Sequence, residues 1–237
     1  MLSTKMSPNR NRVEEANYRF MELSELSQID TAILSACSFL IGKKELKNIS
    51  VADIARQAEV AERIIYLRFS NRESILVAFF IQEINLTLMS SFSHVALNQH
   101  TRMEQNLSLI FYPLVEKFNQ HQAIIPFLSQ FNHDYPDDAW RDLIESNLKE
   151  IVLSIAENYF EADTRFYNED VISLLSARIL TILVDSVQIT GPGFTPNNNK
   201  RIDDTAFFLV NFVKTYLDPD YVRMEMSYEE KLCGDSW

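Results

Sequence analysis

Apolar residues recur at spacings of three and four along nearly the whole of this chain, interrupted only by short polar breaks. That spacing returns side chains to one face of an α-helix, whereas a half-buried strand needs alternation. Glycine, which with proline marks most tight turns, occurs only 4 times in 237 residues, and proline 7 times. A many-stranded sheet protein needs more turn residues than that. The pattern therefore predicts an all-α protein. Helices are expected over about 27–41, 50–58, 61–68, 70–95, 101–121, 122–132, 136–162, 168–190 and 201–217. The clearest break is Gly191–Lys200, with two glycines and two prolines.

The net charge of -11 excludes a general nucleic-acid coat, but the charge is unevenly spread. Residues 1–80 hold 11 Lys/Arg against 10 Asp/Glu, and residues 81–237 hold 11 against 23. An acidic body repels phosphate, so any DNA contact belongs to the first third. The two cysteines, Cys37 and Cys233, form neither a disulfide framework nor a metal spacing. His94, His100, His121 and His133 include no i, i+4 pair and no H-E-x-x-H. No G-x-S-x-G, P-loop or G-x-G-x-x-G is present, so no catalytic residue, cofactor or metal is assigned. With no signal-peptide pattern and no run of about 18 uncharged apolar residues, the chain is expected to be cytoplasmic and off the membrane.

The informative stretch lies between residues 27 and 80. Ile29, Ala32, Ile33, Ala36, Cys37, Leu40 and Ile41 make one apolar helix face. Ser50 with Asp53 three residues on reads as a capping box for a short helix whose apolar side is Val51, Ile54, Ala55 and Ala58. After a turn at Glu59-Val60, a second short helix runs from Ala61 to about Arg68, with Ile64, Ile65 and Phe69 inward. A longer helix restarts at Ser70-Asn71-Arg72-Glu73. Two short helices joined by a tight turn and flanked by longer ones are the arrangement that lays a recognition helix in the major groove.

This segment resembles the N-terminal domain of the TetR family of bacterial regulators. The resemblance rests on Ile33-Leu34, Ala36, Leu40, Ser50-Val51, Asp53-Ile54-Ala55, Ala58, Val60, Tyr66, Phe69 and Arg72-Glu73 followed by Ile75-Leu76. It implies that Ser50, Tyr66 and Arg72 lie near phosphates, that Ala61, Glu62, Arg63 and Leu67 face the groove floor, and that Arg68 and Lys47 belong to the same DNA-binding set. Lys43 and Lys44 are expected to flank the backbone, with Arg10 and Arg12 in an N-terminal arm. Arg63 suits guanine, since its fork bonds O6 and N7 together, and Glu62 suits a cytosine amine or exclusion of wrong sequences. The chain departs from the family pattern where glycine is usual, at Glu45, Glu59 and Arg63. A non-glycine residue at positive φ in the turn at 59 costs on the order of 1 kcal/mol. Ala61 replaces the usual serine cap, at a loss of about 1 kcal/mol.

The expected organisation is a flexible arm at 1–26, a helix-turn-helix domain at 27–72, a helical ligand-sensing and dimerisation domain at 73–217, and a tail at 218–237. The helices near 168–190 and 201–217 carry more apolar surface than one face needs. They fit either a fully buried pair or an intersubunit bundle. Aromatics between 101 and 162 are ordinary core or the lining of a cavity. Tyr112, Gln130, His133, Trp140 and Arg178 are the candidate ligand-binding groups, with Arg178 suited to an anionic ligand or a structural ion pair. The function these features imply is a homodimeric, sequence-specific regulator. It would bind a palindromic double-stranded operator, act as a repressor by the resemblance, and be controlled by an unknown small-molecule effector. The rival is a ligand-binding or protein-interaction module descended from such a regulator that has lost DNA binding. A helical enzyme has no visible constellation to support it.

Overall fold

Serines followed three residues later by aspartates open two of the helices that the apolar spacing predicts. In the computed structural model, which describes residues 27–97, 102–128, 139–159, 169–188 and 198–217, all regular structure is helical. Arg10, Arg12, His100, Gln130, His133 and Cys233, with the expected arm and tail, lie outside the described residues.

Helix α1 spans Gln28–Ile41 and is opened by Ser27 and Asp30 in a reciprocal capping box. Its buried side is Ile33, Leu34, Ala36, Cys37 and Leu40. Leu34, at 1% exposure, takes the place expected of Ile29, which lies 38% exposed in the first turn. A 3-10 turn at Leu46–Asn48 leads to α2 (Val51–Gln57), then α3 (Glu62–Arg68) and the long α4 (Arg72–Leu97). Asn71 caps α4, its side-chain oxygen accepting from the backbone N–H of Ser74 at 2.8 Å. The remaining helices are α5 (Met103–Gln120), α6 (Ala139–Tyr159), α7 (Glu169–Gln188) and α8 (Asn198–Leu217), with a short helical segment over 125–128. Helix α8 begins three residues inside the predicted break, because Asn198, Asn199 and Lys200 wind into its first turn.

The chain divides into two compact units. One comprises Met1–Glu83 and Ala123–Trp140, the other Ile84–Gln122 and Arg141–Trp237, so the division falls within α4. In the first unit α2 packs against both α1 and α3. Its core gathers Ile33, Ile49, Ile54, Ile65, Phe69 and Ile75, all nearly sealed from solvent. In the second unit α8 packs most extensively against α5 and also meets α7. Two side-chain pairs lie inside this unit: Asn147 donates to Asn85 at 2.7 Å, and Asn106 donates to the Tyr159 hydroxyl oxygen. Burial pushes the Tyr159 hydroxyl above its ordinary pKa, and the Asn106 bond opposes that shift.

One stretch, Arg72–Ser91, is long and apolar enough to cross a membrane, with mean hydropathy 1.4. Two-thirds of it (67%) is buried inside the protein, where Ile75, Leu76, Phe79, Phe80 and Ile84 form core. Cys37 is fully buried on α1, and burial pushes its thiol up to about 12 from 9.0. It therefore stays protonated through neutral pH and well into the alkaline range. We expect Cys37 in the folded chain at pH 8 to react with iodoacetamide at least about a thousandfold more slowly than in the unfolded chain. Peptide mass spectrometry after timed labelling measures this, and rapid native labelling would contradict the buried placement.

Candidate nucleic-acid interface

Each short helix of the pair is fixed by a different device. At the start of α2 the Ser50 hydroxyl accepts from the Asp53 N–H at 3.1 Å. The Asp53 carboxylate in turn accepts from the Ser50 N–H at 3.2 Å and hydroxyl at 2.9 Å. The Ser50 hydroxyl bond, then its backbone N–H, then Lys44 hold the Asp53 carboxyl below its ordinary pKa. Because this pKa is lowered by folding, its contribution is present above the ordinary value and lost as pH falls through the lowered one.

The end of α2 is a Schellman motif: Val60 N–H bonds Ala55 C=O at 3.0 Å and Glu59 N–H bonds Arg56 C=O at 3.3 Å. That closure requires the left-handed region at residue 59, and Glu59 has φ 57 there, a conformation glycine adopts without strain. Helix α3 then starts at Ala61 with no side-chain cap, as its sequence implies. Of its seven residues only Ile65 is buried.

The opposite face of α3 is open. Ala61, Glu62, Arg63, Tyr66 and Leu67 are all exposed, Tyr66 by 56% and Leu67 by 67%. Their spacing places them on one side of the helix. Two large apolar or amphipathic side chains beside Arg63 suit a groove floor, where arginine bonds guanine and leucine meets a thymine methyl. Around them Ser50 is exposed, Lys47 pairs loosely with Glu45 at 2.8 Å, and Lys43 lies over the Phe39 ring at 3.9 Å. Lys44 and Arg56 both lean on Asp53, at 3.2 and 3.5 Å. Such exposed pairs are weak enough for a phosphate to displace. Arg56, 78% exposed at its side chain, joins this rim although no motif pointed to it. The signal available in the sequence was its place on the polar side of α2.

Two expected DNA contacts turn inward instead. Arg68 donates to both carboxylate oxygens of Asp30, at 2.9 and 2.7 Å. Arg72 is half-buried, donating to Glu73 at 2.9 Å and to the Ile49 carbonyl at 3.4 Å, with its guanidinium 6.0 Å from the Phe127 ring centre. Both guanidinium groups have intramolecular acceptors and are only partly exposed, with side-chain exposures of 36% and 25%.

Residues 33–79 match the family model for bacterial regulatory proteins, tetR family. This helix-turn-helix segment belongs to the TetR family. The fold of the longer chain is also that of TetR-family regulators. It is similar to the TetR-family repressor AlkX from Dietzia sp., a protein implicated in biodegradation of n-alkanes. The TM-score is 0.55 at 11% identity, over 80% of this chain and 98% of that one. It is similar as well to a TetR-family transcriptional regulator from Mesorhizobium loti, with TM-score 0.54 at 15% identity, over 80% and 95%. At these identities what is shared is the fold. A search of curated protein sequences gave no match.

Of the candidate ligand groups, Tyr112 and Arg178 are described in the second unit, and each has a separate partner. Tyr112 is 44% exposed, and the charge of Asp203 chiefly raises its pKa, the two being hydrogen-bonded. Arg178 is exposed and donates to the Tyr216 hydroxyl at 2.6 Å, its guanidinium 5.6 Å from that ring centre. Asp203 and Tyr216 lie 13 residues apart on α8, about 20 Å at helical rise. Trp140 lies in α6, and Gln130 and His133 are outside the described residues. Among the described residues no cluster of His, Cys, Asp and Glu is arranged to hold a metal.

The TetR-family turn makes a direct expectation. Glu59→Gly relieves about 1–2 kcal/mol of left-handed strain against about 0.5–1 kcal/mol of chain entropy, a net gain of roughly 0.5–1 kcal/mol. Ala61→Ser adds about 1 kcal/mol by capping α3. Both raise the denaturation midpoint in urea. A loss at Glu59→Gly would show that the glutamate side chain itself supports the turn.

Proposed function

We propose that this chain is a sequence-specific DNA-binding transcriptional regulator that acts as a homodimer in the cytoplasm. The observation that carries the reading is the open face of α3, where Arg63, Tyr66 and Leu67 stand exposed on a TetR-family helix-turn-helix. A solvated helix gains nothing from exposing a leucine and a tyrosine side by side. A recognition helix uses both, with Ser50, Lys47 and Arg56 at its rim to meet phosphates. The resemblance favours repression, and the second unit is the place for a small-molecule effector that opposes operator binding through one coupling free energy.

The dimer reading rests on α7 and α8. Phe207 and Phe208 on α8 are exposed by 71% and 54%, and Leu174 on α7 by 48%, apolar surface that a second copy of the same helices would cover. A two-fold dimer would read two half-sites about one helical turn apart, hence a palindromic operator.

A second reading has its own support. Arg68 and Arg72 are occupied inside the protein, and Glu62 presents a carboxylate on the open face. Both would suit a descendant that has lost DNA and kept a ligand-binding or protein-interaction role.

Selection from random duplex DNA separates the two. The regulator yields an enriched palindrome, with log affinity falling steeply against log salt, and Arg63→Ala weakens it by about ten- to a hundredfold. Absence of any enriched duplex favours the second reading. Independently, Phe207→Glu is expected to shift a micromolar dimer to monomer in sedimentation, a loss of about 2 kcal/mol or more. An unchanged dimer would move the interface away from α8.

A further inference from the structure

Arg68 reaches across 38 residues of chain to Asp30, and Asp30 already has another task. Its Oδ2 accepts the Ser27 N–H at 3.1 Å and the Ser27 hydroxyl at 2.7 Å, closing the capping box that opens α1. The same oxygen accepts Arg68 Nη1 at 2.7 Å, and Oδ1 accepts it at 2.9 Å. With Asp30 only 7% exposed, one carboxylate joins the first turn of α1 to the last residue of α3.

The two ends of α3 are fastened unequally. The Ala61 end has no cap and follows the strained Glu59. At the other end, Ile65 and Phe69 are buried, at 0% and 2% exposure. Burial is non-directional, so these two anchor α3 to the core while constraining its rotation only loosely. A guanidinium held on a carboxylate is directional. Rotation of α3 about its own axis is the motion that would swing Arg63, Tyr66 and Leu67 off a groove.

We propose that the Asp30–Arg68 pair is the clasp that sets the pose of the DNA-reading face. Arg68 is a positioning residue, acting through Asp30 and touching no phosphate. This rests on the DNA-binding reading above, and the experiment keeps the two apart.

The full chain is compared as wild type, Arg68→Gln, Asp30→Asn and the double variant. Asparagine keeps an oxygen for the Ser27 cap. Arg68→Lys, which keeps the charge and loses the fork, serves as the milder variant should a neutral one fold poorly. Amide exchange is followed over Glu62–Arg68 and over Val51–Gln57. Affinity is measured on the duplex that the wild type selects. The clasp predicts faster exchange in α3 but not α2 in each single variant, with no further rise in the double. It predicts about a tenfold loss of affinity in each, again shared, with the wild-type salt slope retained. Arg68→Lys falls between.

Unchanged exchange in α3 overturns the clasp. So does an Arg68→Gln protein whose salt slope drops by about one while Asp30→Asn binds normally, since that is the signature of a lost phosphate contact. A wild type that selects no duplex sinks the DNA reading, and exchange alone then decides whether the pair holds α3.

Discussion

A seven-residue helix lies below the length at which backbone hydrogen bonds outweigh the cost of nucleation, so α3 stands only through what it touches. Its inward contacts are few. Ile65 and Phe69 contribute about 1.5–3 kcal/mol each by burial. The Arg68–Asp30 bonds add on the order of 1 kcal/mol after solvent screening. The rest of the first unit is arranged around that economy. Helix α1 supplies the buried wall of Ile33, Leu34, Cys37 and Leu40 and the Asp30 carboxylate, and α2 packs against both α1 and α3. What makes α3 weak as a structural element is that five of its neighbouring positions, from Ala61 to Leu67, are left facing solvent. The cost in stability and the availability of a reading face are the same fact.

The local conflicts fall at the same place. Glu59 occupies a backbone conformation suited to glycine, and Ala61 leaves the N-terminal amides of α3 without a side-chain acceptor. Both lie within three residues of the open face, while the helices on either side are capped by full side-chain devices at Ser27–Asp30, Ser50–Asp53 and Asn71–Ser74. Local rules broken at one point and obeyed around it are the usual mark of a functional site.

The helices of this protein were legible because their signals are short in range. Apolar spacing places every α-helix among the described residues but not the 3-10 turn at Leu46–Asn48, and S-x-x-D at Ser50 locates a cap. The same spacing at Ser27 opens α1. Positive φ at Glu59 is what the resemblance implies, since the family pattern usually carries glycine there. Other features depend on where the helices pack. Nothing in the spacing of Asp30 and Arg68 says that they meet, and Arg68 alone looked like one more cation for DNA. Arg72, too, reads by position as a phosphate contact, whereas Glu73, the Ile49 carbonyl and the Phe127 ring engage it within the protein. Tyr112 and Arg178 have separate partners for the same reason. Tyr112 and Arg178 were chosen by residue type, and their partners, Asp203 and Tyr216, are brought to them by α8, far along the chain.

Charge explains how an acidic protein keeps a face for phosphate. Residues 27–72 hold seven lysines and arginines against five carboxylates, in a chain whose net charge is -11. Two of those seven cations, Arg68 and Arg72, are spent inward, and Asp30 is neutralised by one of them. Asp53 is shared between Lys44 and Arg56, and Lys47 sits against Glu45. The carboxylates of this region are thus mostly paired, which leaves Glu62 and Glu59 as the exposed negative charges nearest the face and Arg63 as its central cation. With so narrow a positive margin, non-specific attraction to DNA is small beside what a correct set of base contacts contributes. On the proposed DNA-binding reading, such a surface would discriminate among sequences more than it adheres to them, and the Glu62 carboxylate would serve by rejecting every step that offers it an acceptor.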